Sequence, residues 1–419
     1  MREITLSCQT FTITSVSSTT PREAVNIVLE TVIVQSLWAI ASIVIVEMVR
    51  DAYHIASHLW APLQTLHNWH HRAYKKDFTP ISAELYSKAQ LYNDVPESLA
   101  MMGVMALMAL LWQPGLWVGC LYGAGFLGGA IARSQGWLLT TDLTHEPGPL
   151  REIPGLWRVN RSYHWKHHFD NVNAYYAGHF TFLDKLMGTA LSLKNKTVAV
   201  TGASGTLGQA MLVELARQGA KPIAITTSPE AHFPEALRVL TWQPGQEAEL
   251  QAALRKVDIL IINHGINVHG DRTPEAIARS LQVNSLSVLA LMDAFLATVD
   301  TPTGAATKEL WVNTSEAEVG PAFSPLYEVS KRLTGDLITL KRQDAPCTIR
   351  KLILGPFKSN LNPIGVMSAP WVAKAIVAIA KRDVRNIIVT INPLTYLAFP
   401  IKETAQSWYF RLFSKASQR

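Results

Sequence analysis

The chain has 419 residues, is 48% hydrophobic and only 17% charged, and carries a formal charge of +6 with a pI near 9.1. That apolar content excludes general disorder, and the basic excess comes without a Lys/Arg block or aromatic-basic stripe, which excludes a nucleic-acid binder. Cys8, Cys120 and Cys347 are odd in number and widely spaced, so neither a disulfide framework nor a cysteine zinc site is expected, and the catalytic parts should face a reducing compartment.

The first twenty residues are Ser/Thr-rich without an apolar h-region and do not read as a cleavable signal. From Ala24 to Val49 the chain is apolar apart from Asn26, Glu30, Thr31, Gln35, Ser36, Ser42 and Glu47, long enough to cross a bilayer. Leu99–Trp112 and Leu116–Ala132 meet at Gln113-Pro114-Gly115, a turn signal, and read as a membrane hairpin. Arg50, Arg72, Lys75, Lys76 and Arg133 flank the ends away from the hairpin tip. The positive-inside rule makes those ends, and the catalytic domains beyond them, cytoplasmic.

Ten of the thirteen histidines lie between positions 54 and 179. His54 and His58 form HxxxH, His67, His70 and His71 form HxxHH, and His164, His167 and His168 form a second HxxHH. Residues three and four apart share a helix face, so each pattern turns its imidazoles to one side. That many neutral imidazoles exceed one zinc's needs and suit two borderline transition ions such as iron. His145 is a further candidate ligand, and His179 is expected to stand outside the ligand set.

These patterns, over Asp51 to Thr189, resemble the fatty acid hydroxylase/sterol desaturase superfamily, as do Asn173, Tyr176 and the run Leu183-Asp184-Lys185-Leu186-Met187-Gly188-Thr189. Thr141 stands where some members have another histidine. The resemblance implies O₂ activation at two irons, attack on a lipid C–H bond giving hydroxylation or desaturation, and an external electron donor.

After Leu193, short β-branched runs alternate with helical stretches, the signature of a parallel α/β sheet. Strands are expected at Thr197–Thr201, Pro222–Thr226, Asp258–Asn263, Glu309–Asn313, Thr348–Leu354 and Asn386–Ile391. The fold class is thus α plus α/β: a membrane-helical histidine-box domain over 1–192 and a Rossmann-type doubly wound parallel sheet over 193–394. A tail over 395–419 reads either as an amphipathic helix on the membrane or as a packed terminal helix. The join at Ser192–Lys196 is short, which is expected to keep the two active sites close together.

The first strand of the second half runs into Gly202-Ala203-Ser204-Gly205-Thr206-Leu207-Gly208 and then a helix over Gln209–Gln218, a strand–glycine turn–helix suited to a pyrophosphate. Tyr327 and Lys331 are spaced YxxxK, with Ser315 twelve residues before the tyrosine. An ammonium one helical turn away favours the phenolate, a usable proton acceptor. Asn195 to Ile391 therefore resembles the short-chain dehydrogenase/reductase family, with Asn263-His264-Gly265 under the adenine, Asn284 as the helical catalytic asparagine, and Gly355-Pro356 with Ser359 as the nicotinamide loop. The resemblance implies catalysis by Ser315, Tyr327, Lys331 and Asn284. It implies cofactor binding by Gly202, Ser204, Gly205, Leu207, Gly208, Asn263, Gly265, Tyr327, Lys331 and Pro356. Thr226, Thr227 and Ser228 follow the second strand without an acid for the ribose, favouring NADP over NAD.

The expectation is a bifunctional lipid oxidoreductase acting on a fatty acyl, sterol or carotenoid-like substrate. Two alternatives compete with it. Plant wax-synthesis proteins, which handle long-chain aldehydes, join similar domains, and a dinucleotide fold can also persist as a non-catalytic sensor.

Overall fold

The computed structural model describes residues 21–138 and 140–415; the Ser/Thr-rich start and Cys8 lie outside them. Helix α1 (Pro21–Leu59) leads through α2 (Ala61–Arg72) to α3 (Ala83–Leu111), which contains a π-helical turn at Gln90–Asp94. The Gln113-Pro114-Gly115 turn then reverses the chain into α4 (Trp117–Ser134). Among the described residues, three helices, at Val25–Leu59, Ala83–Leu111 and Pro114–Ser134, are long and apolar enough to cross a membrane. The turn is satisfied by α1 itself: the Gln35 Oε1 accepts from Gly115 N at 2.7 Å and its Nε2 donates to Gln113 Oε1 at 3.1 Å. Inside an apolar slab such internal pairing is required of any non-helical backbone.

The second HxxHH lies on α5 (Arg161–Phe169), started by Asn160, whose side chain accepts from Tyr163 N. The short α6 (Phe182–Met187) ends at left-handed Gly188. Its Asp184 is buried and accepts from Tyr176 N, Ala177 N, Thr189 Oγ1 and the Tyr163 hydroxyl, which pins the loop of Tyr176 against the histidine helices.

The second half is a seven-stranded all-parallel sheet of order β3-β2-β1-β4-β5-β6-β7. Its strands are β1 (Thr197–Thr201), β2 (Lys221–Thr226), β3 (Arg238–Thr241), β4 (Ile259–Ile262), β5 (Glu309–Asn313), β6 (Thr348–Leu354) and β7 (Asn386–Val389). On the β1–β2 crossover lies α7 (Thr206–Arg217); α8 (Pro274–Leu281) runs through a π-helical turn at Gln282–Leu286 into α9 (Ser287–Leu296). The remaining helices are α10 (Pro325–Lys341), α11 (Ala369–Ala380) and α12 (Pro393–Phe413). One core packs α7 and α11 on one face through Met211, Leu215, Ile376 and Val377, and the other packs α9 and α10 through Leu291, Phe295 and Ile338. The six expected strands are present within two residues at each end. The seventh, β3, was not expected because Arg-Val-Leu-Thr at a sheet edge is largely exposed and lacks an apolar run.

The two halves meet along the edge formed by the strands' N-terminal ends. Lys166 on α5 is 3.7 Å from Glu309, the first residue of β5, and Lys196, just before β1, is 2.7 Å from Asp170. Arg385 before β7 donates to Pro154 O at 2.6 Å, and Leu150 N donates to Pro302 O at 2.8 Å. The glycine turn, Asn263, Asn313 and Ser315 all follow the C-terminal ends. A short join therefore does not bring the sites together, contrary to expectation: a five-residue strand such as β5 alone separates them by about 16 Å.

Candidate metal centre and dinucleotide site

All nine histidines expected as ligands converge in two groups. His54, His58, His67, His71 and His167 form one, and His70, His145, His164 and His168 the other, with the ligand atoms of each group within 4.8 Å of one another. His179 stands apart, 4.0 Å from Glu47.

Hydrogen bonding at the far ring nitrogen orients three of the nine rings, whereas Nδ1 of His70, His71, His164 and His168 has no hydrogen-bond partner. His67 Nδ1 lies 2.6 Å from Asn93 Oδ1, His145 Nδ1 lies 2.9 Å from Asp142, and His167 Nδ1 lies 2.8 Å from Ala174 O. A proton held at Nδ1 leaves Nε2 a bare lone pair. Yet the Nε2 atoms crowd together: His54–His67 3.0 Å, His71–His67 2.9 Å, His164–His145 3.0 Å and His168–His70 3.1 Å. These spacings match the donor–donor edge, about 2.9–3.4 Å, around an ion with bonds near 2.1 Å. Burial first, and mutual repulsion second, holds His70, His71, His164, His167 and His168 below the usual imidazole range. Burial likewise takes His67 down to about 4. All are neutral donors at pH 7.

Asn93 and Asp142, which hydrogen-bond His67 and His145, were not expected from the sequence. Asp142 has a local signal: three residues before His145, it caps a single turn by accepting from Thr144 N and His145 N. Burial opposes its charge, but His145 beside it holds the carboxyl well below its usual range. Asn93 sits in the π-helical turn of α3 and has no sequence signal. Tyr176 closes the first group, 5.2 Å from the His58 ring, and Tyr74 stacks on His145 at 4.5 Å.

In the second half, Gly202 has φ +61 and a Cβ there would lie 2.8 Å from His264 Cα; one on Gly208 would lie 2.2 Å from Gly202 O. Only glycine permits this turn, which aims the first N–H groups of α7 out of the sheet. Gly205 is the helix N-cap, Ser204 Oγ accepts from Thr226 Oγ1 at 3.2 Å, and Leu207 packs into the core beneath. The end of β2 carries no carboxylate, as expected. Asn263 accepts from Asn313 Nδ2 at 2.9 Å, and Gly265 leaves room for Asn284 Oδ1, 3.1 Å from where its Cβ would be.

The catalytic candidates also converge. The Ser315 side chain sits close enough to the Tyr327 phenol to favour its ionised form, and Lys331 Nζ donates to Asn313 O at 3.1 Å from a position 5.8 Å from the Tyr327 ring centre. Asn284 occupies the π-helical turn, where it accepts from Ile266 N and donates to Ile266 O and Ser330 Oγ. Burial raises the Tyr327 phenol and takes Lys331 down to about 8, the latter partly opposed by Glu318. Glu316 turns away from the cleft to accept from Thr390 Oγ1 at 2.6 Å. A Cβ at Gly355 would lie 2.2 Å from Thr390 Oγ1, so the backbone can pass Thr390 only as glycine; Pro356 O accepts from Val366 N at the base of the following loop.

An all-parallel sheet, a glycine turn and a Ser–Tyr–Lys cluster backed by a helical asparagine define a short-chain dehydrogenase domain, and a short chain dehydrogenase family model matches residues 196–350. The chain as a whole belongs to the family of the "Monoglucosyldiacylglycerol epimerase" of Synechocystis sp., to which it is 54% identical over 399 residues, covering 90% of this chain and 97% of that protein. Solved structures similar to it include a short chain dehydrogenase from Burkholderia cenocepacia J2315 in complex with NADP (19% identical, 54% of this chain and 100% of that one, TM-score 0.43). Another is a short-chain dehydrogenase from Sphingobium yanoikuyae in complex with NADPH (18% identical, 54% and 98%, TM-score 0.42).

Proposed function

We propose that the chain is a membrane-bound, NADP-dependent epimerase of a glycosylated diacylglycerol. The observation that carries this is a complete Ser315–Tyr327–Lys331–Asn284 cluster in a chain so similar, over nearly its whole length, to a protein named for that activity. When bound, the nicotinamide supplies a reversible hydride acceptor. Tyr327 takes the proton from a sugar hydroxyl, Lys331 stabilises the phenolate, and Ser315 holds the sugar oxygen while the carbon is planar. Returning the hydrogen to the opposite face inverts that carbon, and Tyr327 returns the proton, so the reaction is redox-neutral. Incubating the purified protein with monoglucosyldiacylglycerol and NADP(H) tests the reading: an epimeric glycolipid of unchanged mass supports it, and an unchanged lipid refutes it.

The functional units in this reading are 1–192, 193–394 and a terminal segment from 395. The nine converging imidazoles favour a second activity in the first unit. His54, His58, His67, His71 and His167 would hold one metal ion, and His70, His145, His164 and His168 another; such a pair, iron by the superfamily resemblance, supplies O₂-dependent oxidation of a C–H bond. In that role the chain's own residues keep the donors neutral, orient them through Asn93 and Asp142, and wall off water with Tyr74 and Tyr176. In this reading both units face the cytoplasm, which the basic residues at the histidine end of the spans support. Metal analysis of the purified protein tests this reading, and a metal-free but fully active protein refutes it.

A further inference from the structure

The last helix has two faces. Thr395, Phe399 and Glu403 of α12 are buried against α10 and β6: Thr339 Oγ1 donates to Glu403 at 3.0 Å, Lys351 donates to it at 2.7 Å, and Ser407 accepts from Gln343 at 3.1 Å. Residue numbers rise together along the two contacting helices, so α12 runs alongside α10, and its 21 residues extend about 30 Å. On the opposite side Leu394, Leu397, Ile401, Trp408 and Leu412 recur at intervals of three, four and seven residues, and all are exposed, Leu412 at 70%. A soluble helix turns such a stripe inward; here the inward face is already occupied by the other set.

The occupant of the outer face follows from its chemistry. The only acid on α12, Glu403, is buried and paired, whereas Arg411, its guanidinium 6.0 Å from the Trp408 ring, and Lys415, just past the helix end, are exposed. Exposed aromatics, aliphatics and cations without an acid match an anionic lipid surface. The chain also holds three helices fit to cross a bilayer, so that surface is within reach. At its other end α12 starts beside the catalytic loop, where Thr395 Oγ1 is 3.3 Å from Glu316, the neighbour of Ser315. The two segments flanking the cleft display Phe323 and Ile364, which are 95% and 90% exposed.

We infer that the outer face of α12 lies flat on an anionic bilayer surface and sets the mouth of the Ser315–Tyr327 cleft against it. A polar lipid head group then enters the cleft while its acyl chains stay in the membrane. The access step rests on the glycolipid reading; the docking of α12 does not. The face serves a lipid surface rather than a second copy of the chain, because it carries the exposed cations Arg411 and Lys415 and offers no exposed acid of its own to pair with them in a self-complementary contact.

The test uses the full-length chain with Cys8→Ser and Cys120→Ser, carrying a new cysteine through Ile401→Cys, Leu412→Cys or, as an exposed control on the far side of the sheet's edge, Gln251→Cys. Each is labelled with a nitrobenzoxadiazole fluorophore in phosphatidylcholine–phosphatidylglycerol vesicles, with or without doxyl-labelled phospholipid. Docking predicts loss of most of the fluorescence at 401 and 412 on adding the doxyl lipid, and none at 251. Equal insensitivity at all three sites overturns it. So does protection that disappears on dilution into empty vesicles without doxyl quenching, which would mark a contact between copies. Epimer analysis on the same samples separates the two claims: quenching without epimer removes the glycolipid reading and leaves the docking, while epimer without quenching does the reverse.

Discussion

The ammonium of Lys166, on the helix that presents three of the converging histidines, lies 3.7 Å from the carboxylate of Glu309, on the strand whose other end leads to Ser315. Both side chains are nearly fully buried, and Glu309 also receives Arg350 at 2.9 and 3.1 Å and Trp311 Nε1 at 3.0 Å. Arg350 continues the network to Asp383 at 2.8 Å, which Lys185 of α6 approaches at 3.5 Å. The two halves thus share a buried ionic seam.

Removing the centre of that seam should be costly and trimming its edge cheap. Arg350→Met leaves Glu309 and Asp383 buried without their main partner and is expected to cost about 3–5 kcal/mol. Lys166→Met leaves Glu309 still paired with Arg350, and removes an ammonium that burial already destabilises; its expected effect is within about 1 kcal/mol. Thermal melts of the detergent-solubilised variants check the order.

The same seam predicts an acid limit. Burial raises the Glu309 carboxyl, but Arg350 first and Lys166 second bring it down to about 2 from its ordinary 4.5. A depressed carboxyl contributes stability that is complete above about 4.5 and lost as pH falls through about 2. Glu309→Gln should flatten the melting temperature over that window, and an unchanged profile would remove Glu309 from the account.

Lys331 gives the opposite sign. Its pKa falls from 10.5 to about 8 on folding, chiefly by burial. Between those values the unfolded chain binds more protons than the folded one, so stability rises with pH across the window, and below about 8 the folded state carries the whole penalty. Lys331→Met should therefore stabilise the cofactor-free protein at neutral pH by a few kcal/mol, abolish this pH dependence, and eliminate turnover. Melts from pH 7 to 11 with paired activity assays measure it.

Tyr327→Phe removes the proton acceptor without disturbing the glycine turn. Turnover should fall by about 10²–10⁴-fold while NADP(H) affinity, read by fluorescence titration, stays near the parent's. By contrast Gly335→Ala places a Cβ 2.1 Å from the buried Glu318 carboxylate and should destabilise by about 1–3 kcal/mol.

Legibility differed between the halves for physical reasons. Five of the seven strands carry β-branched runs buried on both faces, and these announce themselves. The exposed edge strand β3 has no such pattern. The nine convergent imidazoles were readable because helical spacing forces i, i+3 and i+4 rings onto one face. Asn93 was not, because its position opposite His67 depends on the π-helical turn inside α3 and on how α3 packs against α2, neither of which leaves a mark in the residue spacing. Nothing in the sequence around Ser315 shows that the adjacent Glu316 turns out of the cleft, because its partner Thr390 is 74 residues away. The largest misreading was spatial: a short join was taken to mean neighbouring sites, but the linker enters at the N-terminal edge of β1 while every dinucleotide residue lies beyond the C-terminal edge.

The central claim is hydride abstraction and return at a sugar carbon in the Tyr327 cleft. Its most direct test is monoglucosyldiacylglycerol carrying deuterium at the inverted carbon, incubated with the purified protein and NADP(H) and followed by mass spectrometry. The account predicts an epimer that retains the deuterium in the parent and no epimer with Tyr327→Phe. Loss of the deuterium to solvent, or an oxygenated lipid in place of the epimer, would contradict it.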